Sequence, residues 1–526
     1  MIRNAIDLVK RFIPVIVIGS IAIAGLLAVG IGVADSVGGP AAPAPTSTPK
    51  PTATPFAKPT RTPPYVAPTP TPQPSNIREI GSRLEPMVDN WLMEQLQRTT
   101  LKLHSPTPRE VVLEFDQPWE GSVSNYAGVI KDGDLYRMWY RALNEEENGR
   151  YTAYAESVDG IVWTRPVLGL VEANGSIENN IVLDGTDAWN LSVFKDTNPA
   201  ANDSERYKAI ARGPAVDGRD TIRAFVSPDG LQWQSTEQDT ILVAPDDGWP
   251  NFDSHNIAFW DTEQEQYVAY MRGWINPGFR GIRRSVSDDF VEWSEPTFIN
   301  LGPTKLEHLY TNAATQYYRA PHIYMMFPMR FTPDRQFDVD WLHDGLSEAV
   351  FMTSRDGQFW SRRFMEAYIP PGPDQENWNE RNMVVASGLV PTGPGEMSIY
   401  YVEHYRRPTV RLRRATMRVD GIVSVNANFT GGFARTRPFN FDGNELVINY
   451  STAASGIINV EIQDEKGLII SGYSMGNSDD IYGDEIERVV TWGGSGDLSE
   501  LAGQTIRLKF DMKQADLYSL QFRNSR

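Results

Sequence analysis

Four segments of the chain share one pattern, Ser-x-Asp-(Gly/Phe)-x-x-Trp: Ser157–Trp163, Ser227–Trp233, Ser287–Trp293 and Ser354–Trp360. A fifth, degenerate copy keeps Asp420-Gly421. A motif that returns at a near-constant spacing implies repeated copies of one supersecondary unit. Each copy follows a run of strand formers such as Thr221-Ile-Arg-Ala-Phe-Val226. The Ser and Asp side chains suit bonds to turn amides, Gly supplies a positive φ, and Trp suits a wedge between sheets. The expectation is hairpin turns and packing rather than sugar-stacking tryptophans.

A second repeat lies about 30 residues upstream of each turn. Its copies centre on Asn125, Asn190, Asn256, Asn312 and Asn382, at intervals of 65, 66, 56 and 70 residues. After most comes a second strand ending in arginine: Tyr136–Arg141, Tyr207–Arg212, Tyr267–Arg272 and Tyr324–Arg330. The fifth ends at Glu403-His404. Five units of four strands predict an all-β chain with a five-bladed β-propeller over residues 105–428. Alternating strands at Leu446–Tyr450, Ile458–Ile462 and Ile506–Phe510 predict a small β-sandwich over 432–526. In the lead-in, 76–104, a helix is expected near Ser82–Gln97.

The N-terminal region differs in kind. Phe12 to Val33 is 22 residues without a charge, long enough to span a bilayer as a helix. Arg3, Lys10 and Arg11 precede it, and Asp35 follows. The positive-inside rule predicts a single-pass anchor (1–34) with a cytoplasmic N-terminus and an extracytoplasmic body. Pro40 to Pro74 holds 13 prolines and eight threonines, so 35–75 is expected to be an extended, disordered stalk.

Charge and composition narrow the function. Residues 1–75 carry six basic and two acidic side chains, which leaves the other 451 at −22 of the formal −18 total. A body this acidic argues against nucleic-acid binding. There are no cysteines and six histidines, which excludes thiolate chemistry and disfavours a histidine-rich metal site. No cofactor is implied, though a structural calcium ion is left open.

If inner strands begin at the channel mouth, the five asparagines ring that mouth and second strands return to it. Three positions before each Asn stand Ser122, Asp187, Asp253, Leu309 and Asn379. One before stand Ser124, Trp189, His255, Thr311 and Arg381. Arg272, Glu307, Glu380 and Glu403 fall on the same rim. Carboxylates beside Asn, Arg, His and Trp supply acid/base groups, hydroxyl partners and a stacking plane for a carbohydrate. The expected catalytic groups are Asp187, Asp253 and Glu380. The expected substrate-binding groups are Asn125, Trp189, Asn190, His255, Asn256, Arg272, Glu307, Asn312, Arg381, Asn382 and Glu403. The competing reading is that the asparagines cap turns and the arginines neutralise neighbouring carboxylates.

Local sequence adds a family resemblance over 85–526. Trp163-Thr-Arg-Pro-Val-Leu-Gly-Leu, Asn174-Gly-Ser, Leu309-Tyr-Thr-Asn-Ala, Arg319-Ala-Pro-His-Ile-Tyr and Gly483-Asp-Glu-Ile-Glu-Arg-Val-Val carry it. The chain resembles the five-bladed glycoside hydrolases of family 32, with relatives in families 43 and 68. That resemblance implies an Asp nucleophile in blade 1, an Asp within Arg-Asp-Pro in blade 2 and a Glu acid in blade 3. Here neither Asn-Asp-Pro-Asn-Gly nor Arg-Asp-Pro occurs. Blade 1 offers Ser122 with Glu120 nearby, blade 2 Asp187 and blade 3 Asp253. The expectation is a membrane-anchored glycoside hydrolase-like protein, with a non-catalytic carbohydrate-binding propeller as the alternative. A sialidase, suggested by the Ser-x-Asp turns, needs six blades where five are counted.

Overall fold

A computed structural model describes residues 77–145, 149–185, 189–249, 251–276 and 278–525. The anchor at 12–33, the stalk and Asp187 lie outside the described residues. Among those described, no helix is long and apolar enough to cross a membrane.

The described residues are all-β, and their sheets are arranged as in a propeller. Five antiparallel four-stranded sheets follow one another along the sequence. The first comprises Asn125–Asp132, Leu135–Asn144, Gly149–Ser157 and Ile181–Asp184; the second, Trp189–Lys195, Tyr207–Val216, Arg219–Ser227 and Gln234–Val243. The third comprises Ile257–Asp261, Gln266–Ile275, Phe279–Ser287 and Thr297–Phe298; the fourth, Thr315–Tyr317, Ala320–Met326, Met352–Ser354 and Trp360–Ser361. The fifth takes Val390–Gly393, Glu396–Glu403 and Arg411–Arg418, and its outer strand, Thr107–Glu114, comes from upstream of the first sheet.

The repeated turns fold through their own side chains. Asp159 Oδ1 accepts the amides of Ile161 and Val162 at 2.8 Å, and Ser157 Oγ accepts that of Gly160 at 2.9 Å. The same bonds recur at Asp229, Asp289 and Asp356. Those amides hold the Asp159 and Asp289 carboxyls below their ordinary range. Each turn also fastens to the preceding sheet. The carbonyls of Gly160, Gly230 and Gly357 accept from Tyr400 Oη (2.6 Å), Trp139 Nε1 (2.7 Å) and Tyr270 Oη (2.7 Å). In the third copy Phe290, at φ 69°, replaces Gly and packs on Phe194 and Tyr267 of the second and third sheets. A second set of tyrosines, each on a second strand, ties sheet to sheet: Tyr207 to Asp132, Tyr267 to Asp196 (2.7 Å) and Tyr324 to Asp261 (2.7 Å). The fifth sheet meets the first through Val129 N to Ser387 O at 2.8 Å.

Of the remaining strands, His308–Leu309, Met329–Thr332 and Leu346–Ala349 form a separate three-stranded sheet, and the other ten form one sheet around a long pair, Glu445–Asp464 against Ile506–Arg523. Ile458, Val460, Ile462, Leu508, Phe510 and Phe522 are fully buried beneath it. The lead-in belongs here too. Met93–Gln97 pairs with Gly432–Thr436 and Thr99–Leu103 with Val423–Ala427. The helix expected near Ser82–Gln97 is therefore absent: distant strand partners satisfy its backbone groups, and tertiary pairing overrides local propensity. Buried Glu85 locks this sheet to the fourth one, between Arg83 (2.6 Å), Arg355 (3.1 Å) and His322 (3.2 Å). Burial alone would raise its carboxyl, but Arg355 and His322 outweigh it and hold the group down at about 2.

Candidate functional site

The five asparagines gather at one end of the strands, buried within their own turns. All five are at most 4% exposed, and their amides serve the backbone. Asn125 Oδ1 accepts from Tyr126 N, Asn256 Oδ1 from Arg272 N, and Asn382 Oδ1 from Tyr405 N. Asn190 donates to Ser254 O at 3.1 Å and Asn312 to Tyr270 O at 3.1 Å. Tyr126, Asn190, Ala313 and Met383 take positive φ, a conformation that local side-chain bonds make tolerable. Asn125, Asn190, Asn256, Asn312 and Asn382, expected to bind substrate, are thus placed as turn fasteners, which set the geometry of what stands beside them.

Beside them stands a cluster of arginines and aromatic rings. The Arg141 guanidinium lies 4.5 Å from the Tyr126 ring centre and 5.3 Å from that of Trp189. His255 stacks on Tyr126 at 5.5 Å and 15°, and is 2% exposed. Burial first, and then Arg141, push its pKa down to about 3, so its imidazole is neutral. Tyr310 carries three guanidiniums near its ring: Arg280 at 4.9 Å, Arg272 at 5.2 Å and Arg381 at 5.9 Å. Trp274 lies under Arg280 (4.6 Å) and Arg272 (5.5 Å), and stacks on exposed Trp249 at 5.2 Å and 17°.

The carboxylates divide sharply. Asp253, with a side chain 45% exposed, faces Arg272 at 3.5 Å and Arg212 at 3.7 Å and belongs to this cluster. Glu380 is 2% exposed, paired with Arg406 at 2.9 Å and accepting from Trp341 Nε1 at 2.7 Å. It is an enclosed ion pair rather than the open acid the sequence predicts. Glu307, expected to bind sugar, is clamped between Arg330 (2.6 Å) and Arg362 (2.8 Å). Glu403 likewise sits between Arg411 and Arg413, each at 2.8 Å. Burial would raise its carboxyl, but the two arginines prevail and hold it below its usual range. Expected to bind substrate, Glu403 is engaged by both arginines because strand Arg411–Arg418 brings them beside it. Glu120 is also enclosed, by Tyr140 (2.6 Å) and Arg165 (3.0 Å). Trp189, His255, Arg272 and Arg381 do come together with Asp253.

Sequence reasoning did not single out Tyr126, Arg141, Trp249, Trp274, Arg280, Tyr310 or Tyr405 as site residues. Only Arg141 carried a repeat signal, as the end of a second strand. A separate cavity of about 440 Å³ lies at the opposite strand ends, lined by Lys208, Thr236, Asp289 and Phe290 among others. Its lysine is already ion-paired with Asp196 (2.9 Å) and Glu205 (3.1 Å).

No family model matches the chain. A 151-residue stretch is 25% identical to the uncharacterized protein MT1551 of Mycobacterium tuberculosis (strain CDC 1551 / Oshkosh), covering 28% of this chain and 45% of that one. The uncharacterized protein Rv1502 of Mycobacterium tuberculosis (strain ATCC 25618 / H37Rv) matches with the same figures, so the chain spans less than half the length of these curated relatives. Among solved structures, a glycoside hydrolase aligns over 60% of this chain and 92% of its own, at 14% identity and TM-score 0.41. A thermostable family-43 glycoside hydrolase aligns over 58% and 94%, at 15% identity and TM-score 0.40. An N-acetylgalactosamine deacetylase from F. plautii, in complex with blood group B trisaccharide, aligns over 61% and 96%, at 14% identity and TM-score 0.42. At these similarities, the functional reading rests on the geometry of the mouth.

Proposed function

We propose that the chain is a five-bladed β-propeller with a C-terminal β-sandwich that acts on a glycan at its channel mouth, as a glycoside hydrolase-like enzyme. The observation that carries this reading is Asp253, a half-exposed carboxylate beside Arg272, which in turn adjoins the Trp249–Trp274 aromatic stack. Flat aromatic faces suit sugar rings, and a positioned carboxylate suits glycosidic cleavage. In this reading Asp253, flanked by Arg272 and Arg212, serves as base or nucleophile. The acid that protonates the leaving oxygen would be Asp187, at the matching position one repeat earlier. As base, Asp253 would take a proton from the attacking water; as nucleophile, it would form a glycosyl ester that water then cleaves. The separation of the two carboxyls sets which. Asp253→Asn should lower turnover about 10²–10⁴-fold on a glycoside that the parent cleaves, with unchanged melting. Near-parental turnover would remove Asp253 from the chemistry.

A non-catalytic carbohydrate-binding propeller is the second reading. It is favoured because Glu307, Glu380 and Glu403 are enclosed in ion pairs. Sugar binding without turnover across a glycoside panel would select it. The body would be held outside the cytoplasm by an anchor at 12–33. Cell fractionation tests that, since a soluble product beginning near Asp35 would mean a cleaved leader instead.

A further inference from the structure

Among the described residues, the mouth gathers more guanidinium groups than carboxylates. Arg141, Arg272, Arg280 and Arg381 converge on the rings of Tyr126, Tyr310 and Tyr405. Among the described residues, the acids in this cluster are Asp253, shared by Arg272 and Arg212, and Glu380, taken by Arg406. No acid among those residues comes within 4.0 Å of Arg141, Arg280 or Arg381. Arg141 is 8% exposed, and its contacts are neutral: Val123 O, Asn190 Oδ1 and Tyr405 Oη. The Nε atoms of Arg141 and Arg280 are buried without a hydrogen-bond partner, and so is Nε2 of His255. Burial chiefly, with repulsion from Arg272 and Arg381, lowers the pKa of Arg280 against the opposing pull of Tyr310 and Asp253. Packing cations together away from water is costly unless an anion joins them, and these stand in a body that is otherwise strongly acidic.

We propose that the mouth recognises an oxyanion carried by the glycan, either the carboxylate of a sugar acid or a sulfate ester. Guanidinium forks match the paired oxygens of both groups, and the tyrosine and tryptophan faces accept the attached ring. This inference rests on the glycan reading above and adds the substrate's charge.

Calorimetry on the full chain tests it with four probes: a galacturonic acid trisaccharide, its neutral galactose counterpart, a sulfated galactose trisaccharide and inorganic phosphate. A charged trisaccharide should bind about 10- to 100-fold tighter than the neutral one. That advantage should shrink as salt rises, and should fall at least several-fold in both Arg280→Gln and Arg381→Gln. The salt series on the parent protein needs no variant, so misfolded variants would not spare the idea. Equal affinity for charged and neutral sugars, at every salt concentration, overturns this inference and leaves the glycan reading standing. Binding of no saccharide at all overturns both. Arginine-dependent binding of phosphate, with no preference for charged sugars, also overturns it and assigns the arginines to a free ion.

Discussion

At pH 5 to 8 the His255 imidazole is neutral, because burial and Arg141 place its pKa at about 3. Affinity for a glycan at the mouth should therefore carry no step from this residue across that range. A midpoint near pH 6.5 that disappears in His255→Gln would show that the ring is hydrated and charged. Legibility at this scale followed chemistry rather than position. Asp253 stands out in the sequence by its place in the repeat, and the fold sets it between Arg272 and Arg212. The asparagines misled, because a polar residue at a strand start looks the same whether it meets a sugar or caps its own turn. Glu380 misled differently. Its partners, Arg406 and Trp341, arrive from loops 26 and 39 residues away, and no pattern in the chain announces them. Arg280 and Trp274 were invisible for the same reason, since both flank one hairpin turn of the third sheet outside the repeat.

Strands and turns were more readable, because each Ser-x-Asp-Gly segment contains the groups that fold it. What the motif does not reveal is its second duty as a fastener. Gly230 sits at φ +77°, and a Cβ there would meet Trp139 Cζ2 of the first sheet at 2.8 Å. Gly175 has the same φ with nothing within 4 Å. Gly230→Ala should cost about 2–4 kcal/mol, combining backbone strain with overpacking, and Gly175→Ala only about 1–2 kcal/mol. Chemical denaturation of the two variants checks this, and equal losses would mean that the turn does not bear on its neighbour. The lead-in strands were unreadable by the same logic in reverse. Met93–Gln97 has no local partner, and its pairing residues, Gly432–Thr436, lie more than 300 positions away.

Across the whole molecule, the ten-stranded sheet and the fourth sheet meet at Glu85. Its carboxyl falls from an ordinary 4.5 to about 2 in the fold. A depressed carboxyl contributes stability above its unfolded value and loses it as pH falls from about 4.5 toward 2. Glu85→Gln should thus lower stability at pH 7 by about 3 kcal/mol, the common cost of breaking a buried pair. The gap from the parent should narrow as denaturation is repeated at pH 4, 3 and 2.5. A pH-independent gap would mean that shape, not charge, holds the junction. The outer strand of the fifth sheet has a different consequence. Thr107–Glu114 finds its partner, Arg411–Arg418, only when roughly 300 further residues have been made. At ribosomal rates of about 5–20 residues per second, that takes about 15–60 s. For that interval every newly made molecule carries an unpaired β-edge, open to chaperones or to mispairing with a neighbour. The ring is latched by the last parts to arrive, so a truncated message yields an open chain rather than a smaller version of the protein.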